Sequence, residues 1–138
     1  MADLDEILDS HRVLICAGSG GVGKTTTAAS VAVRAALRGL RTVVMTIDPA
    51  KRLANSLGIR ELGGEPVPVD HPDLAASSLS AMMLDQKGAW DQLVERHAPS
   101  PEARERILKN RFYENLSQTF AGSQEYMAIE QLCDLYES

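Results

Sequence analysis

The sequence has 138 residues, of which 44% are hydrophobic and 24% charged, with a formal net charge of −5. This length suits one domain or part of one, and the acidic balance without a basic tract argues against nucleic acid as the main partner. No apolar run approaches the roughly 20 residues of a membrane span, and the acidic N-terminus has no signal-peptide pattern, so we expect a cytoplasmic protein.

The N-terminal part of the chain predicts a short helix, a strand and a long helix in succession. Residues 3–9 carry leucine and isoleucine at helical spacing and predict a lead-in helix beside the first strand. Residues 13–17 form a short apolar run bounded by glycine, which is typical of a buried parallel strand. Residues 25–40 are apolar on most faces and predict a well-buried helix, with Gly39 marking its end.

A glycine-rich loop lies between that strand and that helix and fits the phosphate-binding pattern G-x-x-x-x-G-K-[ST] at every fixed position. Its sequence is Gly18-Ser19-Gly20-Gly21-Val22-Gly23-Lys24-Thr25. Backbone N–H groups of such a loop bind anions, Lys24 should reach the β- and γ-phosphates, and the Thr25 hydroxyl should ligate Mg²⁺. The residues expected to bind the nucleotide are Gly20, Gly21, Val22, Gly23, Lys24, Thr25 and Thr26. The alternative, a turn that only connects a strand to a helix, is disfavoured because both flanks agree with the motif.

A second apolar segment, residues 43–47, predicts another buried strand, which would form a right-handed parallel βαβ unit with the first strand and the long helix. It leads into Asp48-Pro49-Ala50. The Asp48 carboxylate should emerge at the carboxyl edge of the sheet, where open α/β folds bind ligands. Asp48 has two interpretations, a catalytic carboxylate or only the N-cap of a helix predicted over residues 51–57, with Pro49 in its first turn. We favour the catalytic interpretation because of the expected position beside the phosphate loop.

The rest of the chain predicts a loop over residues 59–72, one strand over residues 79–84 and then helices only. The first of these helices covers residues 86–97, the next starts at Ser100-Pro101-Glu102, and the last covers residues 124–137. This order of elements is that of an α/β protein whose C-terminal part is helical.

Two sets of apolar side chains at helical spacing in these helices are expected to lie in the core rather than in a groove that binds another protein. They are Leu108, Phe112, Leu116 and Phe120 in the first set, and Met127, Leu132 and Leu135 in the second. The cysteines, Cys16 and Cys133, have no second cysteine or histidine at metal-ligand spacing, so we expect two buried, reduced thiols.

Several stretches of the chain resemble one protein family. Residues 20–26, Gly-Gly-Val-Gly-Lys-Thr-Thr, resemble the phosphate loop of the deviant Walker A, or SIMIBI, class of NTPases. Residues 45–50, Met-Thr-Ile-Asp-Pro-Ala, resemble the switch I segment of the arsenical-pump-driving ATPase family, which includes the ATPases that target tail-anchored membrane proteins. Residues 107–113 and 121–128 are similar to bacterial members.

The resemblance implies an α/β P-loop NTPase with a parallel sheet flanked by helices. It also implies a helical subdomain over about residues 86–120, which in the family bears the client or effector surface. ATP would bind with Mg²⁺, with Lys24 and Thr25 contacting phosphate and metal and Asp48 orienting or activating the attacking water, so that Lys24 and Asp48 are the expected catalytic residues. A nucleotide-driven dimer, formed with a second copy or a paralogous subunit, would couple to a client or a membrane-protein effector.

The chain departs from the family pattern in its motifs and in its extent. The family usually has, directly after the first glycine of the loop, a lysine that reaches across a dimer to the partner's phosphates, and this chain has Ser19 there. His-Asn often follows Asp-Pro-Ala, where this chain has Lys51-Arg52. The family's switch II aspartate lies on a strand further downstream. Residues 1–138 are therefore expected to be the N-terminal part of one ATPase domain, incomplete and inactive by itself.

Three functions are compatible with these features. The leading one is ATP hydrolysis by an ATPase of the arsenical-pump type. Ser19 favours a second, a non-hydrolysing nucleotide-sensing subunit of a heterodimer. A third, a partition or division-site ATPase acting on DNA or membrane, is disfavoured by the acidic balance and the Asp-Pro-Ala segment. The sequence has no Asn-Lys-x-Asp guanine motif, which accords with ATP without deciding between ATP and GTP.

Overall fold

The computed structural model describes residues 3–48, 51–76, 78–120 and 122–137. Its elements, in chain order, are α1 (Leu4–Ser10), α2 (Lys24–Leu37), β1 (Thr42–Thr46), α3 (Arg52–Ser56), β2 (Val67–Pro68), β3 (Leu79–Met83), α4 (Gln86–His97), α5 (Pro101–Leu108), α6 (Arg111–Thr119) and α7 (Ser123–Glu137). The chain divides into two units, Met1–Thr46 with Ala50–Met82 and Ile47–Pro49 with Met83–Ser138. Within the described ranges, no helix is both long and apolar enough to cross a membrane.

The first unit contains a three-stranded sheet in the order β1-β3-β2. The Thr42 N–H donates to the Ser78 carbonyl at 2.8 Å, which joins the start of β1 to the residue before β3. Strands β2 and β3 are antiparallel, with Val67 opposite Ala81. The sheet is therefore not purely parallel, because the predicted loop over residues 59–72 contributes a two-residue edge strand. Pro68 suits this edge, since proline has no N–H to donate to a further strand.

Residues 13–17 do not form the predicted first strand. The described sheet consists of β1, β3 and β2, and this segment pairs with none of them. Leu14 is 42% exposed and Ile15 is 79% exposed, so the apolar run faces solvent. An apolar run becomes a strand only where a neighbour accepts and donates its backbone hydrogen bonds. The βαβ unit predicted from this strand is consequently also absent from the described part of the chain.

The core of the first unit lies between α2, α3 and the sheet. Its buried residues are Ala29, Ala32, Ala36, Val44, Leu53, Val69, Leu79 and Ala81. Alanine has a small side chain, so the alanine face of α2 can approach the sheet closely while the opposite face stays in solvent. Leu37 on that helix is 50% exposed. The predicted helix is confirmed, but only one of its faces is buried.

Helix α1 is confirmed and is fastened to α2 by ion pairs rather than placed beside a strand. The Arg34 guanidinium binds the Asp5 carboxylate at 2.7 Å, and the Arg38 guanidinium binds the Asp9 carboxylate at 2.8 Å. The hydrogen bond from Arg34 lowers the pKa of Asp5 below its ordinary value. Both pairs are solvent-accessible, so they orient α1 more than they stabilise the unit.

In the second unit, side-chain caps set where the helices begin. The Asp85 carboxylate accepts from the Gly88 N–H at 3.0 Å and starts α4 at the predicted residue. Ser100 accepts from the Ala103 N–H at 3.1 Å and starts α5, also as predicted. Asn110 accepts from the Phe112 N–H at 2.8 Å and starts a separate helix, α6.

The predicted core stripe is correct only in part, because Leu108 and Leu116 are half-buried and its two phenylalanines are exposed. Phe112 is 74% exposed and Phe120 is 53% exposed, whereas the buried positions of α6 are Tyr113 and Ser117. The four-residue spacing was a real helical pattern, but the helix presents the adjacent face to its neighbours. The break between α5 and α6 also separates Leu108 from the rest of the stripe.

The core of the second unit joins α4 to α7. Its buried members are Leu84, Ala89 and Met127, packed against Trp90, Leu93 and Ala128. Met127 is fully buried, as predicted, while Leu132 and Leu135 are half-buried. On α6, the Tyr113 hydroxyl donates to the Asp91 carboxylate at 2.8 Å. Burial and this bond raise the pKa of Tyr113 well above its usual range.

Both cysteines are exposed and free, so the predicted burial is wrong. Cys16 lies in the segment that has no sheet neighbour, and Cys133 lies on an exposed face of α7. Cys16 is exposed because no strand of the described sheet pairs with its segment.

Candidate phosphate-binding site

The loop over residues 18–23 adopts a conformation that requires glycine at two positions. Gly21 has φ 78° and Gly23 has φ 88°, both in the left-handed region. Residues with a Cβ enter this region at a cost, whereas glycine enters it freely. Gly23 is also the N-cap of α2. The sequence pattern G-x-x-x-x-G-K-[ST] therefore has a local structural reason in this chain.

The N-terminus of α2 supplies unpaired backbone donors directly after this loop. The Thr27 N–H makes the first bond of the helix, to the Gly23 carbonyl at 2.9 Å. The N–H groups of the three residues before it, Lys24 to Thr26, point out of the helix end. The helix dipole adds a partial positive charge at this end. Together these groups are suited to hold an anion.

There is open space around the loop for such an anion. A Cβ placed at Gly20, Gly21 or Gly23 would meet no atom within 4 Å among the described residues. Val22 is 61% exposed. A bulky, multiply charged group can therefore approach the loop backbone closely.

The Lys24 ammonium is held over the loop. Its Nζ donates to the Ser19 carbonyl oxygen at 2.6 Å. This bond brings a full positive charge to the loop backbone, from a side chain that starts at the first residue of α2. Ser19 takes part through its backbone, so its hydroxyl is not needed for this contact.

The Thr25 side chain is suited to supply an oxygen ligand to a metal ion. The described residues contain no group of three or more His, Cys, Asp or Glu side chains that could hold a metal. Mg²⁺ bound with a nucleotide needs no such group, since it keeps several waters and takes phosphate oxygens with one or two protein oxygens. The half-buried Thr25, at the second position of α2, can offer one hydroxyl oxygen.

Asp48 lies in the second unit, two residues after β1 ends. The N-cap of α3 is Lys51 rather than Asp48, so the capping interpretation of Asp48 is wrong. The predicted first-turn role of Pro49 falls outside the described residues. The loop residues lie together within the first unit, and Asp48 belongs to the second unit.

One contact within the second unit, beside Asp48, is not predicted by the sequence pattern. The Gln124 side-chain amide donates to the Ile47 carbonyl at 3.0 Å, next to Asp48. The two residues are 77 positions apart in the chain. Gln124 lies within a stretch that resembles the family, but no local periodicity or cap predicts this partner.

Gly23→Ala should destabilise the first unit, whereas Gly20→Ala should not. Alanine at φ 88° costs about 1–2 kcal/mol, while Gly20 has no left-handed φ and open space around it. Chemical denaturation of both variants gives the comparison. Equal stability of the two would mean that the left-handed conformation at Gly23 is not held in solution.

Comparison with known proteins gives one consistent family. The family model described as anion-transporting ATPase matches residues 11–138. ATPase GET3 of Malassezia globosa is 32% identical over 137 residues, which is 98% of this chain and 38% of that protein. ATPase GET3B of Arabidopsis thaliana is 40% identical over 75 residues, covering 53% of this chain and 18% of that protein. A putative arsenical pump-driving ATPase of Chlorobaculum tepidum is 47% identical over 58 residues, covering 42% of this chain and 14% of that protein.

The chain spans 38% or less of the length of these three relatives. The family match nevertheless covers the phosphate loop, Asp48 and all of the second unit's helices. It agrees with the resemblance seen in the loop and in the Asp-Pro-Ala segment. The chain belongs to the anion-transporting ATPase family.

Proposed function

We propose that this chain carries the phosphate-binding part of an ATPase that binds ATP with Mg²⁺ and hydrolyses it. The observation that carries the proposal is the loop conformation, in which left-handed Gly21 and Gly23 lead into a helix that starts at Lys24. Family membership supports the same reaction, since the relatives' names describe ATPases.

In this proposal the loop binds the phosphates of ATP. The N–H groups from Lys24 to Thr26 donate to phosphate oxygens, and the Lys24 ammonium moves from the Ser19 carbonyl to the β- and γ-phosphates. The Thr25 hydroxyl would hold Mg²⁺, and the ion would supply positive charge to neutralise the phosphates. Phosphoryl transfer needs positioning and charge neutralisation more than covalent chemistry, and these residues supply both.

Asp48 serves as the water-positioning residue in this proposal. A carboxylate accepts a hydrogen bond from water and orients or deprotonates it for in-line attack on the γ-phosphate. Asp48 lies two residues after β1, within the range that the family model matches. We infer that the charge of Asp48 serves the reaction.

The nucleotide cycle would drive a dimer, formed with a second copy or a paralogous subunit, and would act on a client or effector. The name of the Chlorobaculum relative, putative arsenical pump-driving ATPase, supports coupling to a pump. The alternative is a nucleotide-sensing subunit that does not hydrolyse ATP, and Ser19 favours it because a serine supplies no charge to a partner's phosphates.

Phosphate release by the full-length protein separates the two functions. We expect steady-state ATP hydrolysis by the protein alone that depends on Mg²⁺. A protein that binds ATP but releases phosphate only when a paralogous subunit is added would instead support the sensing subunit. Hydrolysis in neither sample would contradict the ATPase proposal.

Ser19→Lys should strengthen nucleotide-dependent dimerisation of the full-length protein by about ten- to a hundredfold, the equivalent of one charge-assisted hydrogen bond. A second ammonium beside Lys24 is repelled unless a phosphate lies between them, so the gain should require nucleotide. Sedimentation with a non-hydrolysable ATP analogue measures it, with Ser56→Lys at an exposed position of α3 as a control of equal charge. Equal dimerisation of wild type and Ser19→Lys would show that the serine is compensated elsewhere.

A further inference from the structure

A side chain on helix α7 makes a hydrogen bond to the segment that carries Asp48. Ile47 and Asp48 group with the helices of the second unit, although β1 immediately before them belongs to the first. The Gln124 amide donates a hydrogen bond to the Ile47 carbonyl at 3.0 Å. This bond joins a loop residue to the second residue of α7.

Holding the Ile47 carbonyl also constrains Asp48. A peptide group is planar, so the carbonyl of Ile47 and the N and Cα atoms of Asp48 lie in one plane. A hydrogen bond to that oxygen therefore limits rotation of the plane from which the Asp48 side chain projects. Displacements of about 1 Å at a reacting group can cost about a hundredfold in rate, so such a constraint matters for a carboxylate that positions water.

The start of α7, which carries Gln124, is fixed by hydrogen bonds to other helices of the second unit. The neighbouring Ser123 is 3% exposed, and its hydroxyl accepts from the Gln86 amide at 2.8 Å and donates to the Phe120 carbonyl at 2.7 Å. Gln86, the first residue of α4, also donates to the Ser117 carbonyl at 3.2 Å. The start of α7 is thus tied to α4 and α6 before Gln124 reaches the loop.

We propose that Gln124 is a positioning residue for Asp48, so that the helical unit sets the rate of ATP cleavage through the Gln124–Ile47 hydrogen bond. The proposal rests on the function proposed above for Asp48. Gln124 touches backbone, not the reacting groups. Its loss should slow turnover while ATP affinity, which depends on the phosphate loop, stays the same.

The test measures kcat and ATP affinity of the full-length protein for Gln124→Ala and Gln124→Glu. Alanine removes the donor, and glutamate keeps the shape but presents a carboxylate to the carbonyl. We expect kcat to fall about three- to tenfold, the usual effect of one hydrogen bond, with affinity unchanged. Tyr113→Phe is the matched control, since it removes one hydrogen bond of the same unit, to Asp91, without touching Ile47.

A double variant shows whether Gln124→Ala slows turnover through Asp48 or by destabilising the protein in general. If Gln124 acts through Asp48, adding Gln124→Ala to Asp48→Asn should cause no further loss of kcat. The proposal is overturned if Gln124→Ala turns over like wild type, if the two losses multiply, or if Tyr113→Phe slows turnover equally. Absence of ATP hydrolysis in the wild-type protein would instead overturn the proposed function, and this inference with it.

Discussion

Lys24→Ala should weaken binding of Mg²⁺-ATP by the full-length protein about 10²- to 10⁴-fold. The ammonium is expected to make charge-assisted hydrogen bonds to both the β- and γ-phosphates, and each is worth about 1.5–3 kcal/mol. The backbone donors at the start of α2 remain, so a weak anion site should persist. Isothermal titration calorimetry with ATP and Mg²⁺ measures the loss.

Two further variants show whether the positive charge of Lys24 is responsible for the affinity for ATP. Lys24→Met keeps the long side chain without the ammonium and should bind as weakly as the alanine variant. Lys109→Ala removes a surface lysine that pairs with Glu105 on α5, and it should bind ATP like wild type. Unchanged affinity in both Lys24 variants would reject the phosphate-loop interpretation.

Asp48→Asn should leave ATP bound but slow its cleavage about 10²- to 10⁴-fold, the usual cost of removing a general base. Asparagine keeps the size of aspartate and lacks the negative charge that orients or deprotonates water. Asparagine also keeps a side-chain oxygen that can accept hydrogen bonds, so the fold should survive. Single-turnover phosphate release, measured with saturating ATP, isolates the chemical step.

The control for this variant is Asp70→Asn, which removes one negative charge at an exposed position of the first unit. It should hydrolyse ATP at the wild-type rate. Wild-type cleavage by Asp48→Asn, with normal stability and affinity, would remove Asp48 from the mechanism.

Features with a local cause were predictable from the sequence. The phosphate loop, α2 and β1 follow from glycine positions and apolar periodicity, and the starts of α4 and α5 follow from capping residues. In each case the residues that determine the local structure lie within a few positions of one another, so the sequence pattern is enough to predict it.

Features that depend on distant partners were not predictable. Residues 13–17 have the composition of a strand, but strand formation needs a neighbour that the described sheet does not place there. The buried face of α6 was mistaken because Asn110 starts a new helix in the middle of a regular stripe. The Gln124–Ile47 contact joins residues 77 positions apart and leaves no trace in local sequence.

The most direct test of the proposed ATP binding is a calorimetric titration of ATP into the wild-type full-length protein, with and without Mg²⁺. We expect saturable binding of one nucleotide per chain that weakens when Mg²⁺ is removed. Saturation should occur below about 1 mM ATP, the upper end of ordinary KM values. No saturable binding at that concentration, with a folded protein and Mg²⁺ present, would contradict the proposed function.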